Sequence, residues 1–87
     1  VARVRLTPVE LELLTRPGCH LCEEMKEALF EAARGLEIRL REVDISENVE
    51  LENRYGDDIP VLFVNGSKAF KHRATVQELR LRLRREV

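Results

Sequence analysis

Ile59-Pro60-Val61-Leu62-Phe63-Val64 is an unbroken apolar run that stops at Asn65-Gly66. A strand with one wet face alternates apolar and polar side chains; a short continuous run is the pattern of a strand covered on both faces. Other elements must therefore lie above and below it. Asn-Gly is the strongest short hairpin signal, so Ser67 to Phe70 is predicted to return as an antiparallel partner.

The rest of the chain supplies those elements. Val9 to Thr15 (VELELLT) is β-compatible and ends at the turn signal Pro17-Gly18, which predicts a strand. From His20 to Arg34, Leu21, Met25, Ala28, Leu29 and Ala32 recur at helical spacing, with Gly35 as the C-cap. Leu36, Ile38 and Leu40 alternate with Glu37, Arg39 and Arg41 in a strand that Val43 and Ile45 continue after a phase slip. Asp44 or Ser46 is the expected cap of a short second helix, in which Leu51 and Tyr55 meet one turn apart and Gly56 is the stop.

Thr75-Val76-Gln77-Glu78 fits a capping box, followed by a stripe of Val76, Leu79 and Leu83. Leu79, Leu81 and Leu83 also alternate with Arg80, Arg82 and Arg84, a strand pattern; the cap and the good helix formers decide for helix. The order is β-α-β-α-β-β-α. Two strands flanking a four-turn helix should lie parallel with a right-handed crossover. The expected fold is α/β, a mixed four-stranded sheet with helices on both faces.

A chain of 87 residues has room for one hydrophobic core, so a single domain over 1–87 is expected, its core starting near residue 9. The net charge of −1 supplies no field toward nucleic acid or membrane, and no apolar run is long enough to span a bilayer. Val1-Ala2-Arg3-Val4-Arg5-Leu6 lacks the apolar stretch and cleavage site of a secretory signal, which points to a cytoplasmic monomer. Two cysteines are too few to staple a mini-protein, and a loop this short stabilises little by closure. In a reducing compartment such a pair reads as redox-active or metal-binding.

Those cysteines, Cys19 and Cys22, stand where the first strand has turned and the first helix begins. Backbone N–H groups without intrahelical partners and the positive end of the helix dipole favour thiolate there. Cys22 lies one turn deeper, on the face shared with Met25 and Leu29. Cys19 is thus the expected attacking thiolate and Cys22 the resolver of the mixed disulfide. His20 and Arg16 would support the thiolate if turned toward it, whereas Glu23 and Glu24 oppose it.

Thr15-Arg16-Pro17-Gly18-Cys19-His20-Leu21-Cys22, the Ile59-Pro60 pair about 40 residues on and the Asn65-Gly66 hairpin together resemble the thioredoxin superfamily. Within it the chain is most similar to small bacterial glutaredoxin-like proteins, from about Val9 to the C-terminus. The resemblance implies a thioredoxin-like fold, with Cys19 as nucleophile and Cys22 as resolving cysteine. It implies a cis peptide bond before Pro60, leaving the main chain of Ile59 to pair with a substrate peptide or glutathione. Arg16 matches a basic residue placed near the glycine carboxylate of glutathione. The chain departs from the superfamily elsewhere. Leu13 stands where thioredoxin carries a buried acid, and there is no tryptophan. Asp58-Ile59-Pro60 replaces Thr-Val-Pro, and Phe70-Lys71-His72-Arg73 occupies the region of a glutathione-binding Gly-Gly pair.

The implied activity is thiol–disulfide exchange with a disulfide-containing protein or a low-molecular-weight thiol. No metal or organic cofactor is implied, glutathione entering only as co-substrate, and the reductant is glutathione or a thioredoxin system. Two rival readings are weaker. Cys19, His20, Cys22 and His72 are zinc-ligand types, but no second Cys-x-x-Cys or His-x3-His pair accompanies them, and haem attachment would need histidine where Glu23 stands. A thioredoxin-fold binding module without turnover would leave the dithiol unexplained. The run Arg80 to Arg85 lacks the interleaved aromatics of a nucleic-acid surface.

Overall fold

The structure, a computed structural model, describes residues 8–87; the reading of Val1 to Leu6 and the first residues of the expected domain lie outside them. The strands are β1 (Val9–Thr15), β2 (Ile38–Asp44), β3 (Val61–Val64) and β4 (Ser67–Lys71), and the helices are α1 (His20–Ala32), α2 (Val49–Tyr55) and α3 (Val76–Arg84). They lie in the sheet order β2-β1-β3-β4. β1 runs parallel to β2 and antiparallel to β3, and β3 is antiparallel to β4. This is the α/β order read from the chain.

β3 is covered on both sides. Successive strand residues point to opposite faces, so Leu62 and Val64 join Leu11 and Leu13 under α1 and α3, against Met25, Leu29, Leu79 and Leu83. Val61 joins Leu14 on the other face with Ile45 and Ile59, where Leu51 and Tyr55 of α2 close over them. Val61, Leu62 and Val64 are all fully buried. Each such side chain contributes about 1.5–3 kcal/mol relative to leaving it in water.

Asn65 and Gly66 close the β3–β4 hairpin with φ of 47° and 86°, the left-handed pair of a type I′ turn. The Asn65 side chain also accepts from the Glu10 N–H at 2.9 Å and donates to the Glu86 carboxylate at 2.6 Å, so the turn is anchored to β1 and to the end of α3.

Several boundaries differ from the sequence reading. α1 ends at a cap on Ala33, and Gly35 lies two residues beyond with φ 86°. β2 starts at Ile38 rather than Leu36, and Ile45 leaves the strand for a 3₁₀ turn over Ile45–Glu47. Asp44 caps that turn by accepting from the Ser46 N–H, and Asn48, not Asp44 or Ser46, caps α2 through the Leu51 N–H. Ile45 in that turn is fully buried, in the cluster against which Val43 of β2 also packs.

The ambiguous C-terminal segment is a helix. The Thr75 hydroxyl accepts from the Glu78 N–H at 3.0 Å and the Glu78 carboxylate accepts from the Thr75 N–H at 2.9 Å, a complete capping box. Leu79 and Leu83 are 0% exposed while Leu81 is 62% exposed. A strand would have placed all three on one side.

Lys26 ties α1 to the edge strand β2. Its ammonium lies 3.0 Å from Glu42 and 3.4 Å from Glu23. The Glu42 contact, ahead of Glu23 and against partial desolvation, holds the amine charged above the ordinary lysine range. The bridge is thus intact below that range and fades only as pH rises through the raised value.

The burial contrast within α3 is directly testable. Leu79→Ala should lower unfolding free energy by about 2–5 kcal/mol in urea denaturation. Leu81→Ala should change it by less than about 0.5 kcal/mol. Equal losses at the two positions would contradict the helical assignment.

Candidate active site

β1 ends at the turn Arg16-Pro17-Gly18, in which Gly18 takes φ 75°. A Cβ there would meet nothing within 4 Å, so backbone conformation and not space calls for glycine. The turn delivers Cys19 in extended geometry as the N-cap of α1. Its Sγ accepts from the Cys22 N–H at 3.1 Å and its carbonyl accepts from the Glu23 N–H at 3.2 Å. Sulfur therefore occupies the place of a capping oxygen. An anion at this atom would receive an otherwise unpaired donor and the positive end of the helix.

Cys19 and Cys22 form a disulfide, their Cα atoms 5.2 Å apart. Their surroundings are unequal. Cys22 is 3% exposed and packs with Leu14, Ile45, Ile59 and Val61, whereas Cys19 is half-buried at the edge of the same cluster. The first turn of α1 thus offers one sulfur to the surface and keeps the other beneath it.

The Ile59–Pro60 peptide bond is cis. Ile59 and Pro60 are buried, and Ile59 shares the apolar cluster of Cys22. Both residues precede the first pair of the β3 ladders, at Val61. The Pro60 carbonyl accepts from the His72 N–H at 2.8 Å, which joins the cis segment to the residue after β4. His72 itself takes φ 66°, a left-handed conformation to which histidine is better suited than most residues.

Arg16 is neither free beside the cysteines nor simply solvated. Its guanidinium pairs with the Glu52 carboxylate of α2 and lies 3.4 Å from the Gly56 carbonyl. Glu52 was not foreseen, because no spacing or motif connects residues 16 and 52; only the packing of α2 beside the β1–α1 turn does so. Lys71 is likewise engaged, 3.7 Å from Asp58. On α3, Arg82 pairs with Glu86 at 2.7 Å. His20 is exposed, and His72 is bonded through its backbone to Pro60. Among the described residues no three His, Cys, Asp or Glu side chains converge as a metal-ligand group.

A profile of the glutaredoxin-like domain (DUF836) matches residues 10–84. A glutaredoxin-like protein of Dictyostelium discoideum is 29% identical over 77 residues, covering 82% of this chain and 71% of that relative. An uncharacterized protein of Mycobacterium tuberculosis is 32% identical over 62 residues, covering 66% of this chain and 64% of its own length. Among solved structures, the structural-genomics target protein XcR50 from X. campestris superposes with a TM-score of 0.75 at 32% identity, covering 86% of this chain and 96% of that one. A thioredoxin-2 of the malaria parasite superposes with a TM-score of 0.63 at 18% identity, covering 90% and 82%, a likeness of fold. With its Cys19–Cys22 pair at the head of α1 and Ile59–Pro60 packed beside it, the chain belongs to the glutaredoxin-like domain family of the thioredoxin superfamily.

Proposed function

We propose that the protein is a thiol–disulfide oxidoreductase working through Cys19 and Cys22. The observation that carries this reading is the unequal disulfide at the N-terminus of α1, with Cys19 half-buried and Cys22 packed into the core.

In the reduced protein, the Cys19 thiolate attacks one sulfur of a substrate disulfide, forming a mixed disulfide and releasing one substrate thiolate. The Cys22 thiolate then attacks the Cys19 sulfur, forming the internal disulfide and releasing the second. Two electrons pass to the substrate. A low-molecular-weight thiol such as glutathione, or a dithiol protein of the thioredoxin system, returns the pair to the reduced state. Ile59 offers its main chain beside the cis proline as the edge on which an extended substrate pairs, a form of β-strand addition. Arg16 acts in this reading through Glu52, bracing the β1–α1 turn against α2.

Two measurements test these roles. In the reduced protein, Cys19 should be alkylated at pH 7 at least about tenfold faster than Cys22, as expected of a thiol at a helix start against a buried one; equal, slow labelling would remove the nucleophile assignment. Cys22→Ser should accumulate mixed disulfides with proteins of a cell extract, reversed by dithiothreitol. Cys19→Ser should accumulate none, and failure of both to trap anything would favour a binding module.

A further inference from the structure

Between α1 and the segment leading into α3 runs an open groove of about 600 Å³. Leu21, Met25, Ala28, Ala74 and Val76 give it an apolar floor. Leu21, which separates the two cysteines in the chain, and His72, whose N–H bonds to the Pro60 carbonyl at 2.8 Å, both line it, so the groove runs next to the segments that carry the cysteine pair and the cis proline. A polypeptide whose disulfide reaches Cys19 would lay its neighbouring residues along this groove.

The charges along it are unbalanced. Glu24, Glu27, Glu31 and Glu78 line the groove, and among the described residues Arg73 is the one guanidinium that lines it. Glu31 is already paired with Arg34, and Glu78 is held by the Thr75 N–H. Glu24 and Glu27 are exposed, on the same flank of α1 as Leu21 and Ala28. Among the described residues, nearby cations already have carboxylate partners: Arg16 has Glu52, Lys26 has Glu23 and Glu42, and Lys71 has Asp58. A cleft lined mainly by one sign of charge raises the local concentration of the opposite sign and repels its own.

We propose that this groove seats polypeptide disulfides flanked by basic residues, and that its carboxylates disfavour anionic disulfides such as oxidised glutathione. The inference rests on the redox reading of Cys19 and Cys22. The chemistry is unchanged: one substrate disulfide is reduced to two thiols as the Cys19–Cys22 dithiol closes to the disulfide.

The test uses the reduced protein freed of reductant, in single turnover against two peptides that differ only in lysine or glutamate pairs flanking one disulfide. Oxidised glutathione is a third substrate. Each rate is normalised to that substrate's rate with dithiothreitol, which removes differences in intrinsic disulfide reactivity. The lysine peptide should react at least about tenfold faster than the glutamate peptide at low ionic strength, and the gap should narrow as salt is added. Glu24→Lys with Glu27→Lys should invert the order. Should that variant fail to fold, Glu24→Gln with Glu27→Gln should flatten it. Equal normalised rates, a faster reaction with glutamate peptide or oxidised glutathione, or a native order kept by the variants would overturn the proposal while leaving the redox function standing. No reaction with any disulfide would remove both.

Discussion

Met25 and Leu29 on α1 meet Leu11, Leu13 and Leu62 of the sheet and Leu79 and Leu83 of α3 in one dry layer. This packing fixes where α1 begins, and that start is the chemically consequential point of the fold. The turn between β1 and α1 is too short to absorb a shift of the helix. If α1 slid by one residue, Cys22 would leave the cluster of Ile45, Ile59 and Val61, and Cys19 would lose its place at the unpaired N–H groups. Core packing and cysteine inequality are therefore one constraint expressed at two ends of a helix.

A second layer holds the site from the opposite side. Leu14 and Val61 receive Leu51 and Tyr55 from α2, with Tyr55 edge-on to Phe63. The position of α2 is also what brings Glu52 to Arg16. The contact is tight: a Cβ on Gly56 would fall 2.5 Å from the Glu52 carbonyl oxygen and 3.3 Å from the Arg16 guanidinium. Glycine is needed there for close approach rather than for φ. One oxygen of Glu52 meets Arg16 while the other is buried with no hydrogen-bond partner among the described residues. The cation three residues before Cys19 thus links the β1–α1 turn to α2.

Much of this could be read from the chain because its signals are local. The continuous apolar run at Val61–Val64, the Asn65-Gly66 turn and the Thr75–Glu78 capping box each depend on residues a few positions apart, and each stands in the structure. Local pattern misled where two local options competed. Ile45 fitted an extended strand by alternation, but Asp44 bonds the Ser46 N–H and turns the chain, so Asn48 becomes the cap of α2. The position of Arg16 was beyond local pattern altogether. The chain places a cation three residues before Cys19, but only the packing of α2 shows the carboxylate that pairs with it.

The sequence by itself determined the element order, the central buried strand and the cysteine pair at a helix start, because periodicity, turn chemistry and capping are written within one or two turns of chain. Only the tertiary structure decided which charges surround the cysteine pair. The Arg16–Glu52 pair and the groove between α1 and the α3 approach bring together residues tens of positions apart. Coulomb interactions at a few ångströms follow distance in space, and that distance exists only once the sheet and its two helical layers have closed.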